Sequence, residues 1–288
     1  VQYNEDAKLD PSQVSGGGGR GTTIALGGGA GLLVVIVALL FGIDPGLLSG
    51  GSATGIPATT AANPYAQCTS GADIAKNRDC RFVAYTNSIQ AFWAGAYPGY
   101  VPTQTKIFSG RTATGCGTAT SAGGPFYCPA DKVVYLDDSF FDSMLKGQLG
   151  AEGGDAAEAY VIAHEYGHHI SDLSGVLTRA QASGNSTGPK SAQVRLELQA
   201  DCYAGAWLAN AAADPKSPIK QVTRDDLSRA VDAALAVGDD RIQLKSTGSV
   251  SPESWTHGSA AMRKHWLAVG FNSGDPGKCN TFAAGALG

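Results

Sequence analysis

Apolar positions recur at helical spacing in several stretches of this chain and cluster at strand spacing in two. Over residues 73–100, Phe82, Val83, Ile89, Phe92 and Trp93 fall at intervals that suit one face of a helix, which Pro98 and Gly99 end. KIF at 106–108 and KVVYLD at 132–137 are short apolar runs bounded by glycine-rich sequence, and they read as strands. A longer helix begins at Asp155, with Glu158 three residues on, where carboxylates can accept from the unpaired amides of a first turn. Ala156, Ala157, Ala159, Val161, Ile162 and Ala163 carry it forward, and Gly175 stops it. Further helices are predicted over 192–213, from Thr223 to Val237, and over 259–269. A small sheet followed by a run of helices gives an α+β class.

The first sixty residues follow a different pattern. Residues 1–21, with their SGGGGRG tract, carry almost no large apolar side chains, so a disordered tail is expected there. Thr22 to Ile43 runs without a charge over a length that spans a bilayer as a helix. A cleaved signal peptide is the rival reading, but the apolar stretch is long for one and no clear A-x-A site follows it directly. The expectation is therefore an uncleaved N-terminal transmembrane helix over 22–43, within which Gly27 and Gly31 form a G-x-x-x-G pattern. Lys8 and Arg20 precede this segment and Asp44 follows it, which puts the amino terminus in the cytoplasm and the body outside the cell membrane, as a single-pass protein. Residues 44–64, rich in Gly, Ser, Thr and Pro, read as a linker, leaving 65–288 as the folded domain.

Composition narrows the partners. With 43% hydrophobic and 16% charged residues, the 288-residue chain can bury a real core. A net charge of -4, without a basic run interleaved with aromatics, argues against nucleic acid. All six cysteines follow the apolar segment, an even number in what would be an oxidising compartment. Cys68–Cys80 and Cys116–Cys128 are close neighbours, which leaves Cys202–Cys279, and no C-x-x-C pair suggests a thiolate metal site.

The candidate chemistry lies in AYVIAHEYGHHISDLSG, residues 159–175. Residues four apart on a helix face the same way, so His164 and His168 can present two imidazoles to one zinc ion. Glu165 sits beside the first, where it can reach an activated water without being a ligand. The competing explanation is a polar helix rich in histidine. Gly167 would let a second helix come close. His169 points to another face and reads as structural or solvent-facing.

A third ligand is supplied by the next helix, QVRLELQADCYAGAW, where Glu197 and Asp201 share a face among Leu196, Leu198, Ala200, Cys202 and Ala204. Glu197 is the expected third metal ligand, and Asp201 the carboxylate that holds the outer nitrogen of a liganding histidine. The expected reaction is hydrolysis of a peptide or related amide, with Glu165 taking the proton and delivering it to the leaving amine. His257, in the loop WTHGS, and Tyr203 are candidates for stabilising the oxyanion. For His257 a capping or buried structural role is the alternative, and His265 reads as core or surface.

GCGTATSAGGPFYCPADKVVYLD, AYVIAHEYGHHISDLSG, RLELQADCYAGAW and THGSAAMRKHWLAVGF together resemble the segments of the predicted neutral zinc metallopeptidase family of bacteria, in that order. The resemblance spans roughly Tyr65 to Asn280. It implies zinc bound by His164, His168 and Glu197, with Glu165 as general base, acting on a peptide or protein substrate. It also implies a zincin-like fold in which KVVYLD rims the cleft and receives the substrate as an added strand. Two other functions stay open on sequence alone: a zinc-binding envelope scaffold without turnover, and a zinc amidase acting on cell-wall peptide.

Overall fold

A computed structural model describes residues 1–16 and 63–287. The predicted membrane segment over 22–43, with Gly27 and Gly31, lies outside the described residues, as does nearly all of the predicted linker. The chain opens with β1 (Gln2–Tyr3) and β2 (Val14–Gly16), then α1 (Asp73–Lys76) and α2 (Cys80–Ala96). Five strands follow: β3 (Thr105–Phe108), β4 (Arg111–Thr114), β5 (Gly117–Thr120), β6 (Phe126–Cys128) and β7 (Val133–Asp137). A π-helical segment, Phe141–Gln148, leads to α3 (Asp155–Leu173), α4 (Val176–Ala182) and α5 (Ala192–Asn210). After β8 (Ile219–Gln221) come α6 (Arg224–Ala236), α7 (Asp239–Thr247) and α8 (Ala260–Ser273).

The main sheet has the order β2-β3-β7-β6, with β2, β3 and β7 parallel and β6 antiparallel on β7. Its strands sort their side chains with a period of two. Ile107, Tyr127, Val134 and Leu136 face the helical core, while Phe108, Phe126, Cys128 and Tyr135 form a second cluster under the β4–β5 hairpin. The Cys116–Cys128 disulfide pins that hairpin to β6. KVVYLD is thus an interior strand with partners on both sides, and it cannot receive an added strand. The open edge beside the helices is β6, too short and too glycine-flanked to stand out in the sequence.

The helix expected over 73–100 is broken at Asn77–Asp79 into α1 and α2, where Cys80 is tied back to Cys68. Helix α8 runs four residues past its predicted end because Gly270 is needed inside it. A Cβ on Gly270 would stand 1.8 Å from the Cys202 carbonyl oxygen of α5. Gly205 makes the reciprocal approach, 2.2 Å from the Leu267 oxygen. Helix α3 packs against the sheet and α2 on one side and against α5 and α6 on the other, and α8 lies along α5.

The N-terminal expectations need correction. Residues 1–16 are folded into the body: β1 pairs with β8, β2 pairs with β3, and Ala7, Leu9 and Val14 are buried. A few apolar side chains suffice here because the segment borrows an existing sheet and core instead of building its own. Asn63 donates to the carbonyls of Pro11 and Val14, and a Cβ on Gly16 would stand 2.7 Å from Pro64 Cγ. The chain therefore re-enters the body where it leaves it. A single bilayer crossing between these points would put hydrogen-bonded β2 and β3 on opposite sides. No helix among the described residues is long and apolar enough to cross a membrane. The single-pass anchor with a cytoplasmic amino terminus is accordingly overturned, and the membrane as a partner loses its support.

Candidate metal centre

The periodicity of α3 brings Tyr160, His164 and His168 onto one stripe, turned toward α5. Gly167 lets the two helices close up: a Cβ there would stand 2.8 Å from Ala200 Cα. That approach carries Glu197 between the imidazoles. His164 Nε2 lies 3.2 Å from His168 Nε2 and 3.1 Å from Glu197 Oε2, and His168 Nε2 lies 3.5 Å from the same oxygen. These residues form a buried group that could hold a metal ion. Ligands of a tetrahedral zinc at roughly 2.0–2.1 Å would stand about 3.3 Å from one another, so the triangle is the right size. The charge also fits. Glu197 is 3% exposed, and its oxygens meet two imidazoles and the Gln193 amide rather than a fixed cation. A buried carboxylate placed this way calls for a positive ion.

Asp201 fixes the first imidazole. His164 Nδ1 donates to Asp201 Oδ1 at 2.8 Å, which leaves the Nε2 lone pair for a metal. Tyr160 donates to the same oxygen at 2.6 Å, and Arg263 of α8 embraces the carboxylate through Nε and Nη2, each at 2.8 Å. Burial opposes ionisation of Asp201, but Arg263 and His164 prevail and bring its pKa down to about 2. Burial likewise opposes a charged His164, yet Asp201 and Glu197 raise its pKa to about 10. Without a metal, a proton holds that imidazole. Glu197 is held well below the ordinary carboxylate range: burial pushes it up, and the two histidines pull it further down.

Glu165 is buried and lines the same cavity as the three candidate ligands. Burial raises its pKa, opposed by His164 and His168 and by a hydrogen bond from the Tyr127 backbone of edge strand β6. His257 also lines this cavity. Its loop is wound around Asp239, the first residue of α7, whose Oδ2 accepts from the backbone N–H groups of Thr256, His257 and Gly258 at 2.6–2.9 Å. Asp239 Oδ1 lies 3.3 Å from His257 Nδ1, and Thr256 Oγ1 lies 2.9 Å from it.

The other tyrosine and histidine candidates lie elsewhere. Tyr203 is two residues past Asp201, about 200° round the helix. It packs edge-on against Trp93 at 5.2 Å and lines no part of the cavity, so its oxyanion role is withdrawn. His169 is fully buried, bonded to Tyr127 Oη at 3.0 Å and the Val101 carbonyl at 2.7 Å, where it ties α3 to the sheet. His265 is exposed beside Trp266. Sequence reasoning missed Arg263, Tyr160, Gln193 and Asp239. Arg263 had a signal, since it stands on the apolar stripe Ala260, Leu267, Gly270 of α8. Tyr160, one turn before His164, had another. Asp239 had none, because its partners are backbone groups of a distant loop.

Two histidines one turn apart and a glutamate from a second helix form a group that could hold a metal ion, with a further carboxylate, Glu165, in the same cavity of an α+β body. The chain belongs to the family described as "Putative neutral zinc metallopeptidase", which matches residues 3–282. It is similar to the uncharacterized protein Rv2575 of Mycobacterium tuberculosis, 46% identical over 257 residues that cover 87% of each chain. It is also similar to the uncharacterized protein YpfJ of Escherichia coli, 40% identical over 276 residues covering 92% of this chain and 87% of that one. Neither name states an activity. No solved structure matches the chain.

Proposed function

We propose that the protein is a zinc-dependent peptidase in which His164, His168 and Glu197 hold the metal and Glu165 is the general base. The observation that carries this reading is the close triangle of Nε2, Nε2 and Oε2 atoms with an unligated glutamate in the same cavity. Zinc in that triangle would supply Lewis acidity toward water and toward the scissile carbonyl. Glu165 takes a proton from the attacking water as the C–O bond forms, and passes it to the amine nitrogen as the C–N bond breaks. Its raised pKa suits both transfers.

The remaining residues orient the substrate. Strand β6 has β7 as its one partner among the described residues, and residues 122–127 line the cavity. An extended peptide adds to that edge as a strand, which brings its backbone past Glu165. His257, its Nδ1 engaged by Asp239 and Thr256, offers Nε2–H to the developing oxyanion. Three disulfides support an oxidising, extracytoplasmic setting for this work. Removing zinc by chelation from the purified protein should abolish cleavage of an unfolded protein substrate, and one equivalent of zinc should restore it. Cleavage that survives chelation would rule the reading out.

A further inference from the structure

The cavity extends past the metal centre, and much of its further lining is apolar: Phe140, Met144 and Leu149 at the π-helical segment, Val161 of α3, Val237 at the end of α6 and Ile242 of α7. Val161 stands three residues before His164, so this wall begins one helical turn from the metal ligands. The titratable and charged groups bordering the cavity have partners: His164, Glu165, His168 and Glu197 belong to the metal centre, His257 Nδ1 is engaged by Asp239 and Thr256, and the Arg263 guanidinium is bonded to Asp201. A charged side chain seated among these apolar residues would lose its water without gaining a partner from them, a cost that selects against it.

The cavity, metal centre included, measures about 140 Å³, and an apolar cavity of roughly 150 Å³ holds a benzene ring. A leucine, isoleucine, methionine or phenylalanine side chain is of that order of size.

We infer that this cavity receives one of the two side chains flanking the scissile bond, and that it selects large apolar ones, so that the substrates are peptides or unfolded segments carrying buried-type residues. The inference rests on the peptidase reading above and adds the specificity to it.

The test is digestion of a peptide library of uniform composition by the zinc-loaded full chain, with cleavage sites read by mass spectrometry. Leu, Ile, Met or Phe should be enriched at one flanking position, and alanine there should lower kcat/KM by roughly 10- to 200-fold. Met144→Lys should transfer the preference to Asp and Glu. Ile242→Phe, a gentler change, should move it from Phe toward Val and Ala. Cleavage without enrichment, or with alanine or charged residues preferred at both flanking positions, overturns the specificity and leaves the peptidase reading standing. Failure of the zinc-bound protein to cleave any library member overturns both.

Discussion

At Asp201 three helices meet: α5 supplies the carboxylate, α3 the imidazole of His164 and the phenol of Tyr160, and α8 the guanidinium of Arg263. Asp201→Asn keeps the shape but can no longer hold the His164 proton in a charge-assisted bond. It should weaken zinc binding about 10- to 100-fold, measured by competition with a chelating dye. The same groups give the metal-free protein a distinctive pH response. The pKa of His164 is raised from 6.5 to about 10, so its contribution is full below pH 6.5 and is lost as pH rises through about 10. That of Asp201 is lowered from 3.8 to about 2, so its contribution is present above 3.8 and lost as pH falls through about 2. Thermal midpoints of metal-free protein should therefore fall on both sides of a plateau between these ranges. The alkaline fall should be absent from zinc-loaded protein, because the metal takes the proton's place. For His257, Asp239→Asn should lower kcat more than it raises KM, measured by steady-state kinetics at fixed zinc content. At this scale the sequence was most legible where placement follows helical periodicity, as for His164, Glu165, His168, Glu197 and Asp201, which α3 and α5 bring together. It was mute where a residue acts through tertiary contact alone, as Asp239 does.

At the scale of elements, the site depends on how closely α3, α5 and α8 approach. A Cβ on Gly167 would press on Ala200 at 2.8 Å, whereas one on Gly270 would fall 1.8 Å from the Cys202 oxygen, deeper than side-chain adjustment can relieve. Gly167→Ala should cost on the order of 1–3 kcal/mol, and Gly270→Ala more, with zinc affinity falling in the same order. Chemical denaturation and metal titration of the two variants would check this. The long helices were readable because their periodicity runs over many residues and their ends are marked, by Thr223 with its capping box and by Gly175 in the left-handed region. Strand β6, three residues long, and the π-helical segment offer too few positions for a period to emerge. The edge strand was therefore assigned one place too far into the sheet.

On the scale of the whole molecule, the N-terminal strands and the C-terminal tail both close onto the helical core. Asn63 bridges to Pro11 and Val14, and Cys202–Cys279 closes a loop of 77 residues onto α5, one residue past Asp201. Replacing both cysteines by alanine should cost about 4.5 kcal/mol by the chain-entropy relation. Composition could not reveal that residues 1–16 belong to the fold, because their stability comes from strands more than two hundred residues away or across a long insertion. In the proposed mechanism one zinc ion in the His164, His168, Glu197 triangle works with Glu165 as base. Zinc-normalised turnover of a peptide substrate by wild type and Glu165→Gln, side by side, tests this. Zinc should be equal in the two, near one per chain, with turnover reduced by roughly 10²- to 10⁴-fold in the variant. Equal zinc with equal turnover would contradict it.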